Sequence, residues 1–204
     1  MKSDCMKPQF YLSFVLISLL FTACTTTPKK AINDYTQYVN PFIGTDFTGN
    51  TYPGAQAPFG MVQLSPDNGL PGWDRISGYF YPDSTIAGFS HTHLSGTGAG
   101  DLYDISFMPV TLPYKEAEAP LGIYSKFSHD EESATAGYYQ VRLKDYDIHV
   151  ELTATERCGI QRYTFPEAKA AIFLNLEKAM NWDFTNDSYI EVLDSVTIQG
   201  YRFS

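Results

Sequence analysis

Residues 138–166 read YYQVRLKDYDIHVELTATERCGIQRYTFP, and their alternation decides the fold class. Tyr139, Val141 and Leu143 interleave with Tyr138, Gln140, Arg142 and Lys144. Further on, Ile148, Val150, Leu152 and Ala154 face one way while His149, Glu151, Thr153 and Thr155 face the other. A period of two is the mark of strands buried on one face. Residues 159–166 and 170–176 extend the series, and residues 189–198 supply one more strand. The connections are too short for crossover helices, so successive strands pair antiparallel. The expected fold is mainly β, a meander forming part of an antiparallel β-sandwich. No amphipathic helix of three turns appears.

Upstream, residues 35–113 are rich in Gly, Pro, Asn, Asp, Ser and aromatics. Turn signals recur at Asn40-Pro41, Thr48-Gly49-Asn50, Pro53-Gly54, Pro66-Asp67-Asn68-Gly69, Pro71-Gly72 and Pro82-Asp83, each ending a helix before it grows. Loops with short strands are expected there, and aromatic-rich loops suit a binding surface. Downstream, residues 200–204 still read as a strand entering a sheet, so the sandwich is expected to be incomplete at its C-terminus.

The composition narrows the function. Among 204 residues, 14 Lys and Arg face 23 Asp and Glu, a net charge of −9. There is no cationic cluster to neutralise a phosphate backbone, so nucleic acid is excluded as a partner. With 44% hydrophobic and 15% aromatic residues the chain has material for one packed domain.

The first residues are of another kind. Lys2 and Lys7 precede an uncharged apolar run over residues 10–22, too short for the roughly 20 residues of a spanning helix and typical of an export signal. Leu20-Phe21-Thr22-Ala23-Cys24 then resembles the bacterial lipobox, in which the cysteine is lipidated and becomes the mature N-terminus. The organisation read from this is a signal peptide over 1–23, a polar tether over 24–34 behind lipidated Cys24, and a domain over 35–204. The product would be an exported lipoprotein held to a bilayer, at the outer membrane or facing the periplasm. Cys5 leaves with the signal and Cys24 carries lipid. Cys158 then stands alone, and the mature chain forms no internal disulfide.

Three clusters could carry chemistry. Gly72-Trp73-Asp74-Arg75 sets a Trp and two charges in a Pro/Gly loop. Such a Trp either stacks on the C–H face of a sugar, with Asp and Arg forking to hydroxyls, or plugs the core. Residues 88–101 (GFSHTHLSGTGAGD) carry His91 and His93, which as an extended pair suit either a metal or hydrogen bonds. Their glycines let backbone approach a ligand, but no helix follows to make a phosphate loop. Residues 127–132 (FSHDEE) read as a solvated turn; paired carboxylates there could also serve as acid and base.

Several separate segments jointly resemble the N-terminal domain of glycoside hydrolase family 92, bacterial calcium-dependent exo-α-mannosidases. They are residues 38–45 (YVNPFIGT), 52–55 (YPGA), 57–67 (APFGMVQLSPD), 77–79 (SGY), 88–96 (GFSHTHLSG), 127–129 (FSH), 137–141 (GYYQV), 151–157 (ELTATER) and 162–166 (RYTFP). The resemblance spans residues 35–204. It implies a β-sandwich that packs on an (α/α)₆ barrel missing from this chain, and hydrolysis of terminal α-linked mannose, for example α-1,2, with inversion. In an inverting glycosidase one carboxylic acid protonates the leaving oxygen and a second carboxylate activates water. The resemblance places both carboxylates, and most of the calcium environment, in the barrel, so no catalytic residue is expected here and the chain alone should be inactive. It implies that this chain contributes part of the sugar pocket: Trp73 towards the leaving group, Asp74 among the substrate-binding residues, and His91, His93, Ser95 and Gly96 along a rim facing the barrel. The expected partners are mannose-containing glycans and the barrel. Two rivals remain open: a glycan-binding lipoprotein without turnover, and a β-sandwich adaptor for a separately encoded barrel.

Overall fold

Residues that alternate in the sequence alternate in burial. In the computed structural model, which describes residues 33–96, 98–100, 102–118, 122–178 and 183–204, Tyr139, Val141, Leu143, Ile148, Val150 and Leu152 are all buried. The signal peptide, Cys24 and all but the last two residues of the tether lie outside the described residues.

The strands in chain order are β1 (Ala55–Gln56), β2 (Gln63–Asp67), β3 (Thr85–Ile86), β4 (Gly88–Ser90), β5 (Ser106–Thr111), β6 (Ser125–Lys126) and β7 (Glu132–Thr135). They continue with β8 (Tyr138–Leu143), β9 (Ile148–Ala154), β10 (Gly159–Thr164), β11 (Ala170–Asn175), β12 (Asp187–Val192) and β13 (Ile198–Phe203). As the turn-rich first half predicts, β1 to β4 are short. Among the described residues the helical content is confined to 3₁₀ turns at Thr36–Tyr38, Trp73–Arg75 and His129–Glu131.

Strands β7 to β10 form the expected antiparallel meander. Val141 lies opposite Val150, Tyr139 opposite Leu152 and Leu143 opposite Ile148, so the register sets three apolar pairs on one face. The facing sheet is also antiparallel, in the order β1-β2-β4-β5-β11. It brings Ala55, Leu64, Phe89, Met108 and Val110 onto the same core as Tyr139, Val141, Ile148, Val150 and Leu152. Each fully buried Val, Leu, Ile or Phe contributes about 1.5–3 kcal/mol, which makes this two-sided core the main source of stability. Two further pairs, β3 with β6 and β12 with β13, stand outside these sheets.

Two expectations about the later strands need correction. Residues 170–176 do not extend the meander: β11 crosses to the opposite sheet and pairs with β5 from Ala170 opposite Thr111 to Asn175 opposite Ser106. Pro166 has no N–H with which to continue the β10 ladder. Lys169 then accepts the Leu112 amide at 2.8 Å, starting the new pairing, and Ala171 and Phe173 pack on the shared core. Residues 189–198, read as one strand, are parts of two. The Asp194 carboxylate accepts the Val196 amide at 2.8 Å and the Leu193 amide donates to the Thr197 carbonyl at 3.0 Å, which closes a turn between β12 and β13. This hairpin is mostly exposed on both faces, but the Arg202 side chain is buried. It donates to Asp183 at 2.7 Å, to Thr185 at 2.9 Å and to Asp104.

Candidate functional site

The turn that carries Trp73 is held by its neighbour. Arg75 forks onto Asp83 through Nε at 2.6 Å and Nη2 at 2.5 Å, and its guanidinium lies 4.6 Å from the centre of the Phe80 ring. Hydrogen bonding to Asp83 raises the Arg75 pKa against a smaller opposing effect of burial. A planar fork of this kind fixes orientation as well as charge. The indole is left 56% exposed, so Trp73 is not a core plug, and Asp74 is exposed beside it.

The glycine-rich segment passes directly against this Trp. A Cβ built on Gly98 would lie 3.4 Å from the Trp73 Cζ2 atom. Two residues earlier the Gly96 amide donates to the Asn50 carbonyl at 2.5 Å, and Ser95 and Gly96 are exposed. The fold therefore brings the Trp73 ring, with Asp74 beside it in the chain, against the backbone of Gly98. Asn50 was not singled out by the sequence. Its backbone is left-handed (φ 49°), and its carboxamide oxygen is buried with no hydrogen-bond partner among the described residues. The Thr48-Gly49-Asn50 turn signal was the only hint.

The two histidines are held apart. The His91 Nδ1 donates to the Ile105 carbonyl at 2.8 Å and the ring packs edge-on to Phe107; burial lowers its pKa, against the pull of that bond. His93 lies beneath the rim and is 3% exposed. Its Nδ1 meets the Gln63 carbonyl at 2.7 Å, and its Nε2 lies 2.9 Å from Asp67 Oδ1 and 3.1 Å from the Ser90 hydroxyl. Ser90 donates to the same Asp67 oxygen at 3.1 Å, and Lys178 Nζ stands 3.7 Å from Oδ2, without a hydrogen bond of its own. Burial by itself would raise the Asp67 carboxyl; Lys178 first, then His93 and Ser90, outweigh it and hold the carboxyl below its usual value. Burial in turn lowers the Lys178 ammonium, against the attraction of Asp67. Gly78, at φ +92°, makes room for this network: a Cβ there would come within 2.9 Å of both Asp67 Oδ1 and the His93 ring.

No group of three or more His, Cys, Asp or Glu side chains able to hold a cation comes together among the described residues. His91 and His93 each commit Nδ1 to a backbone carbonyl.

The reading of residues 127–132 as a solvated turn is corrected by the structure. The Glu132 side chain is 1% exposed. It accepts from Tyr79 at 2.9 Å, Tyr139 at 2.6 Å and His129 at 2.7 Å. Burial first, and then the Glu132 charge, push both phenols far above their usual range. The His129 ring stacks on Tyr81 with centroids 4.0 Å apart, and its Nε2 donates to the Tyr81 carbonyl at 2.8 Å. Tyr79 comes from a segment 53 residues away, and the partner strand brings Tyr139 over the carboxylate, which is why an acidic run of sequence reads as solvated. Asp130, by contrast, is exposed as expected.

Comparison with known proteins gives these features a context. A family model described as the glycosyl hydrolase family 92 N-terminal domain matches residues 38–204. A family GH92 α-mannosidase from Bacteroides thetaiotaomicron, solved with mannoimidazole, is 43% identical and superposes with a TM-score of 0.77 over 82% of this chain and 23% of its own. A family GH92 inverting mannosidase from Bacteroides thetaiotaomicron VPI-5482 is 30% identical, with a TM-score of 0.64 over 80% of this chain and 21% of its own. An uncharacterized secreted glycosidase of Arthroderma benhamiae is 29% identical over 143 residues, 67% of this chain and 18% of that protein. The chain thus spans less than a quarter of the length of these relatives.

Proposed function

Because the chain belongs to the family of the glycosyl hydrolase family 92 N-terminal domain, we propose that it is the β-domain of an exported, inverting, calcium-dependent exo-α-mannosidase acting on terminal α-linked mannose of glycans. In this reading it builds one wall of the sugar pocket and the surface on which an (α/α)₆ barrel docks. The acid, the base and the calcium cage are supplied outside this chain, and no step here runs through the metal. Export rests on the signal-like N-terminus and on the secreted relative; anchoring rests on Cys24.

The observation that carries the pocket role is the exposed indole of Trp73 packed beside the glycine backbone at Gly98. An aromatic face held rigid by the Arg75–Asp83 fork offers a pyranose ring an apolar platform. Glycines alongside let the sugar approach the backbone closely. His93 serves this site from below, as the buried prop of the segment that carries Ser95 and Gly96.

The test joins the chain to a family 92 barrel and measures mannose release from mannobiose. Trp73→Ala should lower kcat/KM at least tenfold, about 1.4 kcal/mol of transition-state stabilisation. Retention of the wild-type value would remove Trp73 from the pocket.

A further inference from the structure

A second concave surface lies where residues 40–46, Tyr81 and the buried Glu132 meet. It is a cleft of about 360 Å³, open on one side, with Phe42 and Tyr81 as walls, Asn40, Thr45 and Asp46 at the rim, and His129 and Glu132 as the floor. That volume falls in the lower part of the roughly 300–1,000 Å³ range of small-ligand sites. The walls are set nearly perpendicular, with ring centroids 6.0 Å apart, and Tyr81 is 39% exposed. The rim is preorganised: the Tyr81 amide donates to the Thr45 carbonyl at 2.9 Å and the Thr45 hydroxyl to the Phe42 carbonyl at 2.8 Å.

The rim also keeps polar atoms available. Asn40 Oδ1 accepts the Phe42 amide at 3.0 Å, and Asp46 Oδ1 accepts the Phe47 amide at 2.7 Å. Each side chain is thereby oriented through one atom, leaving a donor on Asn40 and an acceptor on Asp46 without a hydrogen bond among the described residues. Both ring nitrogens of His129 are engaged, one by Glu132 and the other by the Tyr81 carbonyl. An anionic ligand meets Asp46 and Glu132, and no Lys or Arg lines the cleft. The lining suits a ligand with an apolar face for an aromatic wall and hydroxyls for a neighbouring carboxylate and carboxamide.

We propose that this cleft binds a single pyranose ring of a glycan, packed against the exposed part of Tyr81 that His129 leaves uncovered and hydrogen-bonded by Asp46 and Asn40. The choice of a mannoside as probe rests on the function proposed above; the site itself does not.

The test is a saturation-transfer NMR titration of the full chain with methyl α-D-mannopyranoside. Tyr81→Ala and Asp46→Ala should each weaken binding at least tenfold, while Trp73→Ala leaves binding at this cleft in place. Asp46 makes only a local backbone bond, so its variant remains informative if Tyr81→Ala unfolds, which thermal melting reports. Absence of saturable binding in the wild type, or unchanged binding in Asp46→Ala, overturns the proposal. Binding abolished by Trp73→Ala alone also overturns it, while leaving the proposed function intact.

Discussion

Asp67 concentrates more electrostatics than any other described side chain, with His93, Ser90, Ser106 and Lys178 around one buried carboxylate. Removing one partner of a buried ion pair strands the others, at a cost of about 3–5 kcal/mol. Asp67→Asn, which keeps the shape and deletes the charge, should therefore lower stability at pH 7 by about that amount in urea unfolding. The sign with pH follows from the depressed carboxyl. A folded pKa below the unfolded value of about 3.9 gives stability that is present above it and lost as the pH falls through the folded value. The gap between wild type and Asp67→Asn should therefore narrow below about pH 4. A gap of equal size at pH 7 and pH 3 would show that the charge is not what matters. Glu132 is built on the same plan with phenols in place of a lysine.

Among the elements, β12 and β13 depend on one side chain. The hairpin exposes most of its residues, and Arg202 is the group that it buries, between Asp104 and Asp183. Arg202→Met should strip hydrogen-exchange protection from amides 187–203 while those of β8 and β9 keep theirs; protection retained in the hairpin would mean that other contacts hold it. The elements also mark how far the sequence could be read. Strands β8 to β10 were legible because their alternation answers to a one-sided core. The crossing of β11 was not, since a run such as AAIFLN declares an apolar face but not which sheet receives it. The candidate site divides the same way. Trp73 and the glycines were visible as residue types in a loop. The burial of His93, the orphan oxygen of Asn50 and the Tyr79 donation to Glu132 depend on tertiary packing, which no local pattern records.

At the scale of the molecule, apolar surface remains uncovered. Phe47 is 80% exposed and Phe59 fully so, both on left-handed backbone, and Met61 and Val196 are also largely exposed. Bulky residues held outward at such dihedrals point to a surface meant to be met by another. The chain by itself should bind a hydrophobic dye, self-associate in sedimentation and release no mannose from mannobiose. A longer protein carrying the barrel should lose the dye signal and gain the activity; turnover by the isolated chain would overturn this division of labour. The pairing of β5 with β11 carries a different consequence, for the order of assembly. Strands β7 to β10 lie wholly within the loop that closes when Thr111 meets Ala170. Closing a long flexible loop costs entropy before any contact rewards it, and a loop already condensed into a meander costs less. The β7–β10 meander should form first and template the other sheet, so that destabilising changes in β8 and β9 slow folding while changes in β11 mainly speed unfolding.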